Sequence, residues 1–271
     1  MKKILFLFVA AGIIAGCSKD DESNSPDQGN NSQKRFLVSK IFDYNNNLRA
    51  VYTYNDNNQL LKRETKDDAN NPSSDYQIEY ENGKAKNIKY IDYRYPQFNH
   101  NIVLIYSTDG KIIRDETYQY GNLIGFKNYA YYSNGKLKAM VDQAGLEWYS
   151  VDYNNTVNAL HTTILMEDDG DLGNTVTAYR EISRDFRYDD KKKPDFGLGT
   201  VFQIEPLPNF GDEALFEKNI SHNNMTTFIG SGTQWIYEYN DDGLPKTIET
   251  RWKDIETAEP MMLRLEYTEY K

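Results

Sequence analysis

The chain has 271 residues, with 31 lysines and arginines against 41 aspartates and glutamates, a formal net charge of −10. A field of that sign repels phosphate backbones, so nucleic acid is not an expected partner. The 22 tyrosines, with a mean hydropathy of −0.77, point to strands with one buried face and argue against a helical bundle.

The first elements are an address. Lys2 and Lys3 precede an apolar run, Ile4 to Ile14, that is too short to span a bilayer as a helix but suits the core of a signal peptide. Ile14-Ala15-Gly16-Cys17 resembles a lipobox, which makes residues 1–16 a lipoprotein signal peptide and Cys17 the acylated residue. Cys17 is the only cysteine, so no disulfide framework is expected, and a lipid on its sulfur removes thiol chemistry. Residues 17–34 carry no aromatic or aliphatic side chain and cannot offset their ordering entropy, so they read as a disordered acidic tether. Within it, Lys19-Asp20-Asp21 resembles the signal that sends lipoproteins of Bacteroidota to the exterior face of the outer membrane.

Residues 35–271 then repeat one pattern: an aromatic strand end, a polar turn, and an aliphatic strand start. Tyr54, Tyr80, Tyr106 and Tyr132 close four such units at a constant spacing of 26 (80−54, 106−80, 132−106), the mark of repeated supersecondary units. Turns such as Asn82-Gly83, Asp109-Gly110 and Asn134-Gly135 supply the positive φ angles of hairpins. The pattern continues through Trp148–Tyr153, Phe186–Tyr188, Trp235–Tyr239 and the closing strand around Leu263, Leu265 and Tyr267. Residues two apart share a strand face, so each Tyr-x-Tyr pair stands on one side of the sheet. The expectation is an all-β domain, an antiparallel hairpin meander of about a dozen strands forming a barrel-like or strongly curved sheet, soluble and lipid-anchored. An irregular excursion is expected at about 191–232, where Pro194, Pro206 and Pro208 disfavour strands and a short helix fits Asp212–Asn219. Such an excursion serves either as a binding surface or as a loop covering a sheet edge.

Tyr52–Leu60 and Tyr237–Leu244 resemble the tyrosine–aspartate repeats of large bacterial β-wrapped shells. Together with the lipobox, the tether, Phe186-Arg187-Tyr188-Asp189-Asp190-Lys191-Lys192 and Trp235–Lys246, they make the chain similar to a Bacteroidota outer-membrane lipoprotein family of unknown function with a porin-like β fold. In that family the double lysine tends to be followed by Asn-Pro-Phe, where this chain has Lys193-Pro194-Asp195, so packing there is expected to differ. The resemblance implies a barrel-shaped fold without necessary membrane insertion, and it transfers no catalytic residue.

No residue set reads as a catalytic or metal site. His100, His161 and His222 lie far apart in the chain. Glu167-Asp168-Asp169-Gly170-Asp171 lacks the alternating ligands of a calcium loop, and Gly197-Leu198-Gly199 and Gly230-Ser231-Gly232 lack the strand–turn–helix setting of a phosphate cradle. Trp148, Trp235 and Trp252 are the candidate ligand-binding aromatics, since indoles stack on sugars and anchor partners, although aromatic residues at strand spacing more often fill cores. Insertion of strands into the membrane is not expected, because Ile88–Tyr95 carries Asp92 and Arg94 on one face and Lys89 on the other. The reading is a non-enzymatic, monomeric outer-membrane lipoprotein facing the exterior, binding a glycan or a protein and using no cofactor. A structural or assembly role in the envelope, or a carboxylate-based hydrolase, are the alternatives.

Overall fold

The computed structural model describes residues 35–154, 157–168, 178–207, 215–253 and 260–270. Sixteen antiparallel strands close into one barrel, each pairing with its neighbours in sequence. They are β1 (Arg35–Asp43), β2 (Leu48–Tyr54), β3 (Leu60–Lys66), β4 (Pro72–Glu81), β5 (Lys84–Asp92), β6 (His100–Tyr106), β7 (Ile112–Gln119) and β8 (Asn122–Tyr131). The second half comprises β9 (Leu137–Val141), β10 (Glu147–Tyr153), β11 (Ala159–Asp168), β12 (Ala178–Lys192), β13 (Asn223–Phe228), β14 (Thr233–Tyr239), β15 (Pro245–Arg251) and β16 (Met261–Tyr270). One helix, α1 (Leu215–Ile220), lies between β12 and β13. The seam is β1 against β16, from Arg35 opposite Tyr270 to Asp43 opposite Leu263. The meander puts the start of β1 and the end of β16 at the same end of the barrel, called basal below; the other end is apical.

Most tight turns share one construction. In Asp43–Asn47 the Asp43 and Asn46 amides bond across the turn to Asn47 and Asp43, and the Asp43 carboxylate accepts the Asn45 and Asn47 amides, both at 2.9 Å. The residue before the last takes positive φ: Asn46 at 61°, then Asn58, Asn70, Gly110, Gly135, Gly145, Val157 and Gly243 in the equivalent turns. A type I turn followed by a left-handed residue is a common hairpin closure, and an Asx or Ser side chain at its head organises the backbone amides. Asn82-Gly83 and Tyr120-Gly121 have both residues at positive φ, the geometry of two-residue hairpin loops.

At the basal end a bulge recurs in the ladder beside the last tyrosine of a strand: Tyr54, Tyr80, Tyr106, Tyr131, Tyr153 and Tyr239. The extra residue bends the strand and increases its twist, which helps so many strands curl into closure. The same tyrosines form an inward girdle. Tyr54 Oη donates to the Val38 carbonyl, Tyr80 to Leu60 at 2.9 Å, Tyr106 to Ala85 at 2.7 Å and Tyr131 to Ile112. Tyr237 and Tyr267 do the same toward Met225 and Pro245. In the fourth unit the expected 26-residue period slips: Tyr131 fills the girdle position, while Tyr132 heads the next turn and sends its hydroxyl to the Val151 carbonyl.

The excursion is not a surface feature. From Lys193 the chain enters the barrel, where Phe196, Val201, Phe202 and Ile204 are buried. Its carbonyls accept the Val38 amide at Asp195 and the Leu60 amide at Gly197, and also Tyr52 Oη at Pro206 and Arg63 Nη1 at Glu205. Phe202 meets the Tyr129 ring edge-on at 5.0 Å, and in α1 Phe216 packs on Tyr149 while Glu217 accepts from Thr162 Oγ1 at 3.0 Å. A segment that touches β1, β2, β3, β8, β10 and β11 lies in the lumen between them. Gly197 has φ +66, and a Cβ there would stand 2.7 Å from the Asn58 carbonyl oxygen, so only glycine lets the plug approach this turn. The expected irregular span is therefore shortened and turned inward: β12 runs on to Lys192, β13 begins at Asn223, and the helix is Leu215–Ile220, where Asp212–Asn219 was expected. Among the described residues, large tyrosines and the plug pack together in the barrel interior.

The outward face is charged. Lys84, Lys86 and Lys89 on β5, Glu181, Asp185 and Arg187 on β12, Glu238 on β14 and Lys246 on β15 are all exposed. Outward pairs such as Arg114–Glu116 at 2.8 Å and Arg264–Glu266 at 2.8 Å run along strands. Exposed apolar side chains such as Ile113, Leu160 and Ile236 are interspersed among them.

Candidate functional site

The tryptophans do not make a platform. Trp235 lies on β14 in register with Tyr237 and is 2% exposed, with the Lys218 ammonium 3.9 Å from its ring. Period two puts it inside, so as a surface anchor Trp235 is ruled out by its own strand. Trp148 on β10 is half-buried against Tyr149, and Trp252 is half-buried just past β15. Strands β11 to β13 separate Trp148 from the other two. Cys17, Lys19, Asp20 and Asp21 lie outside the described residues, as do Asp169, Gly170 and Asp171 of the acidic run.

The histidines are separate too. His100 rests on the Tyr90 ring, His161 pairs with Asp185 at 2.8 Å, and His222 follows α1 at the basal end. Among the described residues no three His, Cys, Asp or Glu side chains gather as a metal site. Buried Asp115 and Glu217 and half-buried Asp189 sit inside hydrogen-bond sets instead. Asp115 accepts from Tyr129 Oη and Glu217 from Thr162, and burial raises both above the usual carboxylate range. Asp189 accepts from Tyr239 Oη and from the Asn224 amide at 3.2 Å. Each of these ties an interior tyrosine or the plug to the wall.

The exposed aromatics are apical and were not singled out by sequence. β5 ends at Asp92, short of the Ile88–Tyr95 strand expected, because Asp92 turns the chain: its Oδ1 accepts the Arg94 and Tyr95 amides at 2.9 and 2.8 Å. Asn99 Oδ1 takes the Asp92 amide at 2.7 Å, a 3-10 turn covers Pro96–Phe98, and Tyr93 Oη reaches buried Asp75 at 2.8 Å. Every residue from Tyr93 to Phe98 is nevertheless exposed, with Tyr95 and Phe98 in edge contact at 6.1 Å. Gln119 Nε2 donates to the Gln97 carbonyl and draws in the β7–β8 hairpin, whose Tyr120, Leu123 and Ile124 are also exposed, Tyr120 to 75%. The result is a pinned platform of aromatic rings interleaved with Arg94, Gln97 and Asn122. The legible signal was proline: Pro96 amid aromatics marks where a strand must stop.

A second feature lies at the basal end, where the plug enters. A cavity of about 360 Å³ separates it from β13, β14 and β15, with Phe196, Leu198, Met225 and Ile248 among its walls. Lys193 reaches back to α1 and donates to the Lys218 and Asn219 carbonyls at 3.0 and 2.6 Å, capping the helix end; burial pushes its ammonium down to about 8.

No protein-family model matches the chain, and no curated protein sequence matches it. Among solved structures it is similar to a porin-like protein from Bacteroides uniformis ATCC 8492, with 13% identity, 86% of this chain and 98% of that one covered, and a TM-score of 0.50. A porin-like protein from Bacteroides vulgatus ATCC 8482 aligns over 86% and 99% at 11% identity, with a TM-score of 0.38. Likeness at this identity concerns the fold: this chain is a closed, all-β barrel like the first of these neighbours.

Proposed function

We propose that the chain is a non-enzymatic binding protein of the outer-membrane surface, held by lipid on Cys17 and taking an extracellular glycan on its apical platform. The observation that carries this reading is the pinned, exposed loop Tyr93–Phe98 beside Tyr120. A chain that spends buried Asp75 and Asp92 on fixing a loop, and then leaves its rings in water, is organised to meet something flat and partly apolar. Rings alternating with amide and guanidinium donors match sugar faces and hydroxyls better than they match hydrocarbon. β1 begins at the basal end, opposite the platform, so a lipid anchor preceding it would leave the apical rings free to meet a ligand. Membership of the Bacteroidota lipoprotein family, with Lys19-Asp20-Asp21 as its export signal, belongs to the same proposal.

The test is a binding screen of residues 33–271 against neutral polysaccharides, with Tyr95→Ala, Phe98→Ala and Tyr120→Ala beside Trp148→Ala and Trp252→Ala. Binding lost in the first three and kept in the last two supports the reading. Binding that survives all three apical substitutions overturns it, and a folded protein silent toward every glycan moves the platform to a protein partner.

A further inference from the structure

The basal cavity is independent of the apical platform. It lies between the plug, which contributes Phe196, Leu198 and Val201, and the barrel wall, which contributes Met225 and Ile248. Four of these five side chains are less than a tenth exposed, Leu198 being the exception. At roughly 30 Å³ per water-sized group, 360 Å³ holds about 12 non-hydrogen atoms. The polar groups along it are already engaged with the protein. Lys193 caps α1, and the Lys218 ammonium lies 3.9 Å from the centre of the Trp235 ring. Asp195 is held by Arg35 at 3.0 Å. Asn219 Nδ2 donates to the Phe202 and Ile204 carbonyls at 3.1 and 2.9 Å, and Tyr237 Oη to the Met225 carbonyl at 2.8 Å. Asn224 Nδ2 donates to Asp189 at 3.2 Å. A ligand headgroup buried among them would shed its water and have to break one of these bonds to find a partner, which costs more than it returns. What the hollow offers a ligand is therefore its apolar wall. The exposed residues of the lining, Lys192 and His222 among them, mark the side on which it meets solvent.

We propose that this cavity holds the alkyl chain of a single-chain aliphatic amphiphile, about 10 carbons long at that volume per group. The chain lies between plug and wall, and the headgroup stays in solvent beside Lys192 and His222, where the site does not read it. A mostly apolar chamber is the ordinary form of a small-ligand site. The size excludes a pair of full-length phospholipid chains.

Titration of the full mature chain with decan-1-ol, followed by NMR of its methionine and isoleucine methyl groups, tests this directly. The Met225 and Ile248 methyls shift and saturate at one equivalent, while the outward methyls of Ile113 and Ile124 stay in place. Octan-1-ol binds about 15-fold more weakly, since each methylene removed from the wall costs about fourfold in affinity. Decanoate binds as tightly as decan-1-ol, because the two differ only in the headgroup. Leu198→Trp fills the hollow and abolishes the Met225 and Ile248 shifts. Equal affinity for the two alcohols overturns the proposal, as do shifts confined to the outward methyls, or no saturation before the alcohol reaches its solubility limit. A difference of an order of magnitude between decanoate and decan-1-ol, in either direction, also overturns it. These comparisons use the unmodified chain, so misfolding of Leu198→Trp cannot mask the answer.

Discussion

If the plug is the core of this barrel, removing one side chain from its tip should cost as much as any core truncation. Ile204 is fully buried, and its carbonyl accepts from Asn219 Nδ2 at 2.9 Å, so it is held from both sides. Ile204→Ala removes three carbons, about 0.8 kcal/mol each in transfer terms, or about 2.4 kcal/mol. Plug and wall are both hydrogen-bonded in place and will not collapse fully into the gap, so a cavity cost adds to this and brings the loss to about 3–4 kcal/mol. Leu160→Ala, at an outward position 47% exposed, should lose less than about 1 kcal/mol. Urea unfolding followed by tryptophan fluorescence reads both, and the dependence on urea should keep its slope, since truncation changes little surface. A loss below about 1 kcal/mol for Ile204→Ala, with unchanged slope, would refute the assignment of the excursion as an interior element.

Alkali should open the barrel in a defined window. Burial pushes the Tyr80 and Tyr131 hydroxyls up to about 12 from an ordinary value near 10. Their folded values are raised, so the stability they contribute is complete below pH 10 and is lost as pH climbs through 12. Absorbance at 295 nm should show a late ionisation step coincident with loss of the circular dichroism signal. Completion of that titration with the signal intact would refute the girdle. Acid behaviour turns on Glu217, which burial also raises: its contribution is present at low pH and is lost as pH rises through its folded value. Glu217→Gln keeps an acceptor for Thr162 and removes the buried charge, so the variant should melt higher than the parent at pH 8 and equally at pH 4. A lower melting temperature at pH 8 would contradict this reading.

Much of the wall follows from rules that act over a few residues, and those are written in the sequence. Asx at the head of a turn, Asn or Gly at its left-handed position, and aromatics two apart fix hairpins, their ends and their inward face without help from distant parts of the chain. The same period of two places Trp235 beside Tyr237 inside the barrel. The slip from Tyr132 to Tyr131 was not visible locally, because which of two adjacent tyrosines points inward depends on a bulge set by the neighbouring strand.

Tertiary structure alone decided the rest. Closure needs Arg35 to meet Tyr270, a pairing that no local pattern records. Once the sheet closes, its strands enclose more volume than their own side chains fill, and the proline-broken stretch after β12 is drawn in because Phe196, Phe202 and Ile204 bury there what they would otherwise expose. The apical platform is decided the same way: Asp92, Asn99 and Asp75 are distant or unremarkable in sequence, and only the stacking of β4, β5 and the β7–β8 hairpin brings them together to hold Tyr95 and Phe98 in water.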